Sequence, residues 1–156
     1  MEKLVEKLIK KLKKKKLFLG VMESCTGGGL ANAITNVVGA SEIFKGGIVA
    51  YATEIKVNFG VSQKIIKKYS VYSPEVALAM AKVARKKLKA DIGVGITGSI
   101  SRVDPNEPKS KIGEIFIAVI FGQKFLVRKF IFPNKKRSIV KSLAILKALK
   151  MIDQII

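Results

Sequence analysis

The chain has 156 residues, of which 49% are hydrophobic and 26% are charged, and this composition predicts one compact domain rather than a disordered or fibrous protein. With one cysteine, Cys25, and no histidine, the chain cannot form an internal disulfide or the usual zinc sites. We therefore expect no metal and no other cofactor.

The formal charge of +19 indicates attraction to anions and leaves two interpretations open. A nucleic-acid-binding protein would concentrate its basic residues on one element and interleave them with aromatic residues. Here the lysines are distributed over several predicted helices and aromatic residues are scarce. This distribution favours a generally lysine-rich surface over a dedicated nucleic-acid site.

The first predicted helix covers residues 2 to 14 and ends in a lysine run at 13 to 16, where positive charge suits the helix dipole. Its apolar residues recur at helical spacing instead of forming a continuous run. This pattern is unlike a signal peptide or a membrane span, so we expect a cytoplasmic protein with no membrane partner.

Residues 17 to 23 are predicted as the first strand and residues 27 to 37 as a helix ended by Gly39. Between them, the run from Glu23 to Gly29 places Ser24 where a strand turns into a helix. In one interpretation Ser24 or Thr26 only caps the helix, and the glycines permit a tight turn. In the other, Ser24 is a nucleophile, and the N–H groups of the helix start bind an anion or an oxyanion.

Residues 46 to 52 are predicted as the second strand, with Thr53 capping a short helix that ends before Gly60. A brief helix follows from Ser62 to about residue 68. The sequence Ser73-Pro74-Glu75 then opens a longer helix to about residue 89, with serine as cap and proline at the first helical position.

The third strand is predicted over residues 91 to 97, followed by a long polar loop over 98 to 111 that contains Pro105 and Pro108. Residues 112 to 121 and 124 to 132 are predicted to form a hairpin, and a last helix begins after Pro133-Asn134. These elements predict one α/β domain over residues 1 to 156, with helices on both faces of a mixed five-stranded sheet.

Ligands bind at the carboxyl ends of parallel strands in such sheets, and Ser24, Tyr51 and Thr97 fall at these ends. Serine needs a base, and without histidine a lysine can serve if burial lowers its pKa. Lys56 is the candidate because it follows Tyr51 by five residues in a mostly apolar segment. Tyr51 is a candidate to relay a proton or to hold the lysine. Cys25 is interpreted as a small buried hydrophobe rather than a reactive thiol.

Several of these segments together resemble the CinA C-terminal-domain family, the nicotinamide-nucleotide amidases. The resemblance rests first on Glu23-Ser24-Cys25-Thr26-Gly27-Gly28 and on residues 39 to 51 with Lys56 behind them. It continues through residues 59 to 61, 71 to 77, 90 to 98 and 112 to 118, and so covers nearly the whole chain.

Members of this family hydrolyse the carboxamide of nicotinamide mononucleotide to nicotinate mononucleotide and ammonia, a step of pyridine nucleotide salvage in NAD metabolism. The resemblance implies a hydrolase without metal in which Ser24 is the nucleophile and Lys56 its general base. Tyr51 is implied to lie near this dyad.

The resemblance also implies how the substrate is bound. Backbone N–H groups around Thr26, Gly27 and Gly28 are expected to hold the oxyanion. Thr97 and Gly98 fall on the family's substrate-contacting strand end, and Arg137 matches a basic residue at the start of the last helix. The positive end of the helix dipole and a basic side chain would both attract a phosphate at this helix start.

The chain departs from the family in the loop after Thr97, which reads Gly98-Ser99-Ile100-Ser101 in place of a Gly-Ile-Ala-Gly-Pro type turn. An alternative is therefore a catalytically weakened or inactive protein that binds nucleotides or nucleic acid. The apolar faces of the first and last helices also leave two arrangements open. They could pair with a second copy in a homo-oligomer, or they could cover the sheet, which we favour.

Overall fold

One mixed sheet organises the computed structural model, which describes residues 1–101, 103–107, 110–132 and 135–156. Its strands are β1 (Leu19–Glu23), β2 (Phe44–Val49), β3 (Ile92–Ser99), β4 (Glu114–Phe121) and β5 (Lys124–Ile131). The strand order is β2-β1-β3-β4-β5, with β2, β1 and β3 parallel and with β4 and β5 antiparallel. The predicted mixed five-stranded sheet is confirmed.

Helices cover both faces of this sheet. The helices are α1 (Glu2–Lys15), α2 (Gly29–Thr35), α3 (Thr53–Phe59), α4 (Gln63–Tyr69), α5 (Pro74–Lys87) and α6 (Arg137–Ile155). Apolar side chains of α1, α2 and α6 share one buried cluster with β1, β3 and β4, while those of α4 and α5 form a second cluster with β1 and β2. The three-layer α/β/α arrangement follows from these two clusters.

Two glycines of β3 let α5 lie directly against the sheet. A Cβ atom at Gly93 or Gly95 would stand 2.1 Å from the carbonyl oxygen of Ala81 or Ala77 in α5, so no larger residue fits. The start of α5 is as predicted, because Ser73 Oγ accepts the Val76 N–H at 3.2 Å and proline occupies the first turn.

The apolar face of α1 is used within this chain. Leu8 and Leu12 are buried in the first cluster, and α1 packs against α6. Lys7 and Lys11 pair with Asp153 of α6 at 2.7 Å and 3.0 Å, which holds the two helices together at their exposed edge. None of the helices in the described ranges has the length and apolar content needed to cross a membrane.

Some predicted boundaries differ from the structure. Thr53 is the first residue of α3 rather than its cap, since Ala52 occupies the cap position and no side chain caps this helix. Helix α2 ends at Thr35, and Gly39, with a φ of 91°, instead precedes a short 3₁₀ helix over Ala40–Glu42. Helix α5 ends at Lys87, two residues earlier than predicted.

Strand β3 is longer than predicted, because Gly98 and Ser99 pair with Ile115 and Glu114 of β4. The loop that follows contains an isolated antiparallel bridge between Asp104 and Glu107. Arg102, Pro108, Lys109, Pro133 and Asn134 lie outside the described residues, so the predictions that rest on those positions are not tested there.

Candidate active site

The fold brings Ser24 and Lys56 together although 32 residues separate them in sequence. Ser24 follows the last residue of β1, and Lys56 lies in the middle of α3. Lys56 Nζ is 3.0 Å from Ser24 Oγ, and the exposed fractions of these two residues are 1% and 4%. This is the contact that a serine nucleophile and a lysine base require.

The burial of Lys56 favours the uncharged form of its amine. Its Nζ donates to the carbonyl oxygens of Ala50 at 2.9 Å and Tyr51 at 3.1 Å, and within the described ranges no carboxylate forms an ion pair with it. Burial lowers the pKa of Lys56 to about 8. A neutral amine has two N–H groups for the two carbonyls, which leaves its lone pair for the Ser24 hydroxyl proton.

Tyr51 accepts the hydrogen bond of this lysine with its main-chain carbonyl. Its side chain is 60% exposed, and its hydroxyl accepts a hydrogen bond from Arg137 Nη2 at 2.6 Å. Of the two predicted roles, proton relay and support of the lysine, the geometry matches the second. The support comes from the carbonyl rather than from the phenol.

Arg137 is the first residue of α6 and stands at the mouth of the cavity that contains the dyad. Besides its bond to Tyr51, it donates from Nη1 to Ser101 Oγ at 2.8 Å. The predicted basic residue at the start of the last helix is thus fixed by contacts to two other segments of the cavity wall.

The cavity has a volume of about 430 Å³, and the dyad forms part of its wall. Its acidic lining comes from Glu54 and Asp104, and its basic lining from Lys56 and Arg137. The remaining lining residues are Ser24, Cys25, Tyr51, Ala52, Thr53, Val71, Tyr72, Gly98, Ser99, Ile100, Ser101 and Asn106.

The turn after Ser24 does not use a side-chain cap. Gly28, with a φ of 89°, is the N-cap of α2, and Gly27 has a φ of 62°, so both adopt the left-handed conformation that glycine tolerates. Ser24 and Thr26 therefore do not cap the helix. The Thr26 side chain is buried, and its hydroxyl has no partner among the described residues.

The first N–H groups of α2 are already occupied. Those of Leu30 and Ala31 donate to the carboxylate of Glu23, at 3.0 Å to Oε2 and 2.8 Å to Oε1. The expectation that these helix donors face a ligand is wrong.

Main-chain N–H groups that have no acceptor among the described residues lie just before α2, in the turn that follows Ser24. Nothing in the described part of the chain accepts from the N–H groups of Thr26 or Gly28, whereas the Cys25 N–H faces its own sulfur. Of these three residues, Cys25 lines the cavity and Thr26 and Gly28 do not.

Thr97 and Gly98 differ in their access to the cavity. Gly98 lines it, whereas Thr97 is fully buried and donates from Oγ1 to the Val71 carbonyl at 2.9 Å. Thr97 therefore lies behind the cavity wall, which it supports through this bond. Cys25 is buried as predicted, and burial raises its pKa to about 12, which keeps the thiol protonated.

The loop after β3 is tied to the opposite wall of the cavity by carboxylates. The Tyr72 hydroxyl donates to Asp104 Oδ2 at 2.7 Å, and Glu107 Oε1 accepts the Val71 N–H at 3.3 Å. Sequence reasoning missed these contacts, since they depend on pairing between distant segments, and it missed the Glu23 contacts because their partners are backbone groups. Across the described ranges, no group of three or more His, Cys, Asp or Glu side chains is placed to hold a metal ion.

Comparison with known proteins places this site in a family context. The family model described as the CinA C-terminal domain matches residues 1–156. A CinA-like protein of Flavobacterium psychrophilum is 40% identical over 146 residues, which are 92% of this chain and 34% of that protein. A CinA-like protein of Thermotoga maritima is 37% identical over 139 residues, which are 88% of this chain and 34% of that protein.

Solved structures agree with the fold. A competence-damaged protein (CinA) superfamily protein from Escherichia coli superposes with a TM-score of 0.91 at 28% identity, covering 99% of this chain and 90% of that one. The competence/damage inducible protein CihA from Agrobacterium tumefaciens gives a TM-score of 0.90 at 25% identity, covering 98% and 93%. The chain spans about a third of the length of the curated relatives it matches.

Proposed function

The chain belongs to the CinA C-terminal domain family, and on this premise we propose that it is an amidohydrolase that deamidates nicotinamide mononucleotide. The observation that supports this proposal most directly is the 3.0 Å contact between Ser24 Oγ and Lys56 Nζ in the wall of the cavity. A buried lysine whose hydrogen-bond partners among the described residues are two carbonyl oxygens and a hydroxyl has the environment of a general base.

In the first half of the proposed reaction, neutral Lys56 takes the Ser24 proton as Oγ attacks the carboxamide carbon. The oxygen of that carboxamide then carries the negative charge, and the Cys25 N–H, in the part of the turn that lines the cavity, is the candidate donor for it. The Lys56 ammonium returns the proton to the leaving nitrogen, so that ammonia departs and a nicotinoyl ester remains on Ser24.

In the second half, water attacks this ester. Lys56 accepts one proton of the water and returns it to Ser24 Oγ as the nicotinic acid group leaves, and this group then loses its remaining proton to solvent to give the carboxylate. The same lysine thus acts as base and acid in both halves, and proton transfer needs no histidine.

The cavity suits a mononucleotide in size, and Arg137 supplies a positive charge for the phosphate. Its volume of about 430 Å³ lies within the usual range of small-molecule sites. The guanidinium of Arg137 can form paired hydrogen bonds with a phosphate, and Tyr51 and Ser101 already orient it. We propose that Arg137 binds the substrate phosphate.

Ammonia release from purified protein and nicotinamide mononucleotide tests the proposal. Ser24→Ala and Lys56→Ala should abolish release, while Lys64→Ala, at an exposed lysine of α4, should leave it unchanged. If the wild type releases ammonia no faster than Ser24→Ala, the amidase proposal for this substrate is lost.

A second candidate function is binding of nucleic acid, and the unbalanced surface charge favours it. The chain has 30 lysine and arginine residues, and in the described ranges only Lys7, Lys11, Lys13 and Lys129 form ion pairs. Genuine phosphate contacts would make affinity for a labelled oligonucleotide fall steeply with salt. Absence of binding near physiological salt would remove this candidate.

A further inference from the structure

We propose that Glu23 is a positioning residue for the nucleophile, because its buried carboxylate fixes the turn that carries Ser24. The inference rests on the proposed function, since it takes Ser24 as the attacking group. Glu23 itself is not among the residues that line the cavity, so it acts through Ser24 and not on the substrate.

The carboxylate bridges the end of β1 to the start of α2. Glu23 is 1% exposed, and its two oxygens accept the N–H groups of Leu30 and Ala31 at 3.0 Å and 2.8 Å. The N-cap position holds Gly28, which has no side chain to offer, so Glu23 supplies the hydrogen bonds that a capping residue would make. The residues just before and just after the turn from Ser24 to Gly28 are thereby held together.

Main-chain bonds hold the other two sides of the Glu23-Ser24 peptide. The Glu23 carbonyl accepts the Ala50 N–H at 2.8 Å, and the Ser24 N–H donates to the Ile96 carbonyl at 2.9 Å. Ala50 in turn holds Lys56 through its own carbonyl. Ala50, just after β2, and strand β3 thus fix the nucleophile from the sheet. From the helix layers, the Lys56 amine contacts Ser24 Oγ, and the Glu23 carboxylate ties the turn to α2.

Only a carboxylate of this length satisfies both donors. A glutamine has one acceptor oxygen and would turn its NH₂ group against the second N–H, leaving two donors facing each other in a buried site. An aspartate keeps the charge but is shorter by one methylene. Misplacement of a reacting group by about 1 Å costs on the order of 100-fold in rate.

The reactivity of Ser24 toward a fluorophosphonate probe tests this role without relying on the natural substrate. In this reaction Oγ attacks phosphorus, fluoride leaves and Lys56 accepts the proton. We expect Glu23→Gln to lower the labelling rate about 100-fold, and to lower kcat for the amidase reaction by the same factor with KM unchanged.

Asp91→Asn is the matched control. Asp91 Oδ2 accepts the Phe18 N–H at 2.8 Å near the other end of β1, so this variant also replaces a carboxylate that accepts a main-chain N–H by an amide, but far from Ser24. Its labelling rate and kcat should equal those of the wild type at a temperature where both variants are folded.

Equal labelling of folded Glu23→Gln and wild type would overturn the inference. If Glu23→Gln does not fold, Glu23→Asp decides the matter in the same assay, with slower labelling expected and an unchanged rate contradicting it. Labelling of the wild type without ammonia release overturns the proposed substrate alone. A wild type that shows neither overturns both the proposed function and the role of Glu23.

Discussion

The Tyr51 hydroxyl accepts a hydrogen bond from Arg137 Nη2 at 2.6 Å, which joins the segment after β2 to the first residue of α6 across the cavity. The phenol of Tyr51 therefore accepts a hydrogen bond from the arginine, while its carbonyl accepts one from Lys56. A change of the phenol should therefore affect the orientation of Arg137 without affecting the support of Lys56.

Tyr51→Phe should raise KM for nicotinamide mononucleotide about fivefold and leave kcat nearly unchanged. The change removes a hydrogen bond worth about 1 kcal/mol that orients Arg137, but it keeps the carbonyl that holds Lys56. Steady-state kinetics measure both values. A large fall in kcat with KM unchanged would instead give the phenol a part in proton transfer.

The amidase rate should rise with pH through about 8 and then level off. Lys56 must be neutral to accept the Ser24 proton, and burial lowers its pKa to about 8. The pH dependence of kcat/KM, measured from pH 6 to 10 in a buffer of constant ionic strength, reports this ionisation in the free enzyme. A rate constant that does not vary over this range would contradict Lys56 as the base.

The ionisation of Lys56 should also make the free energy of unfolding depend on pH. The pKa of Lys56 is lower in the folded chain, at about 8, than the value of 10.5 that we take for the unfolded chain. Below pH 8 the lysine is charged in both states, and burying the charge opposes folding. This penalty is lost as the pH rises from about 8 to 10.5, so the free energy of unfolding should increase.

Urea denaturation of the wild type and Lys56→Met at several pH values isolates this effect. The other lysines titrate in both proteins, so their contribution cancels in the difference. The wild type should gain stability relative to Lys56→Met across the window, by an amount on the order of 3 kcal/mol. A constant difference would mean that Lys56 is not buried as a neutral amine.

Thr97→Val should destabilise the chain by about 1 to 3 kcal/mol, because the buried Val71 carbonyl loses the hydroxyl that donates to it. Thr97→Ser, which keeps the hydroxyl, is the control and should retain most of the stability. Since Thr97 does not line the cavity, the KM of folded Thr97→Val should change little. A selective rise in KM at full stability would return Thr97 to the substrate site.

Local patterns in the sequence were sufficient to predict the layers of the fold, and the resemblance to a family was needed to pair Ser24 with Lys56. Apolar strands followed by capped helices predict the sheet, and the spacing of Ser24, Tyr51 and Lys56 matches a family motif. Residues that follow the carboxyl ends of parallel strands also lie at one edge of the sheet, and this places these residues near one another.

What sequence reasoning could not give is the direction in which side chains point. Tyr51 and Thr97 lie at the predicted strand ends, yet the Tyr51 phenol faces Arg137 and the Thr97 hydroxyl faces Val71. Glu23 was missed for a related reason. Its partners Leu30 and Ala31 are backbone groups, which carry no residue-specific pattern.

The turn of the β4–β5 hairpin lies far from the cavity that contains Ser24 and Lys56. Phe121, just before Gly122-Gln123, pairs with Ile92 at the start of β3, while the cavity lies beside Gly98 and Ser99 at the other end, about 23 Å away at 3.3 Å per residue. A cysteine introduced at Gln123 therefore offers an attachment point for a fluorophore or a solid support. Because Cys25 is buried and its thiol stays protonated, thiol chemistry should reach the introduced residue alone, and the tethered protein would keep its cavity open to solution.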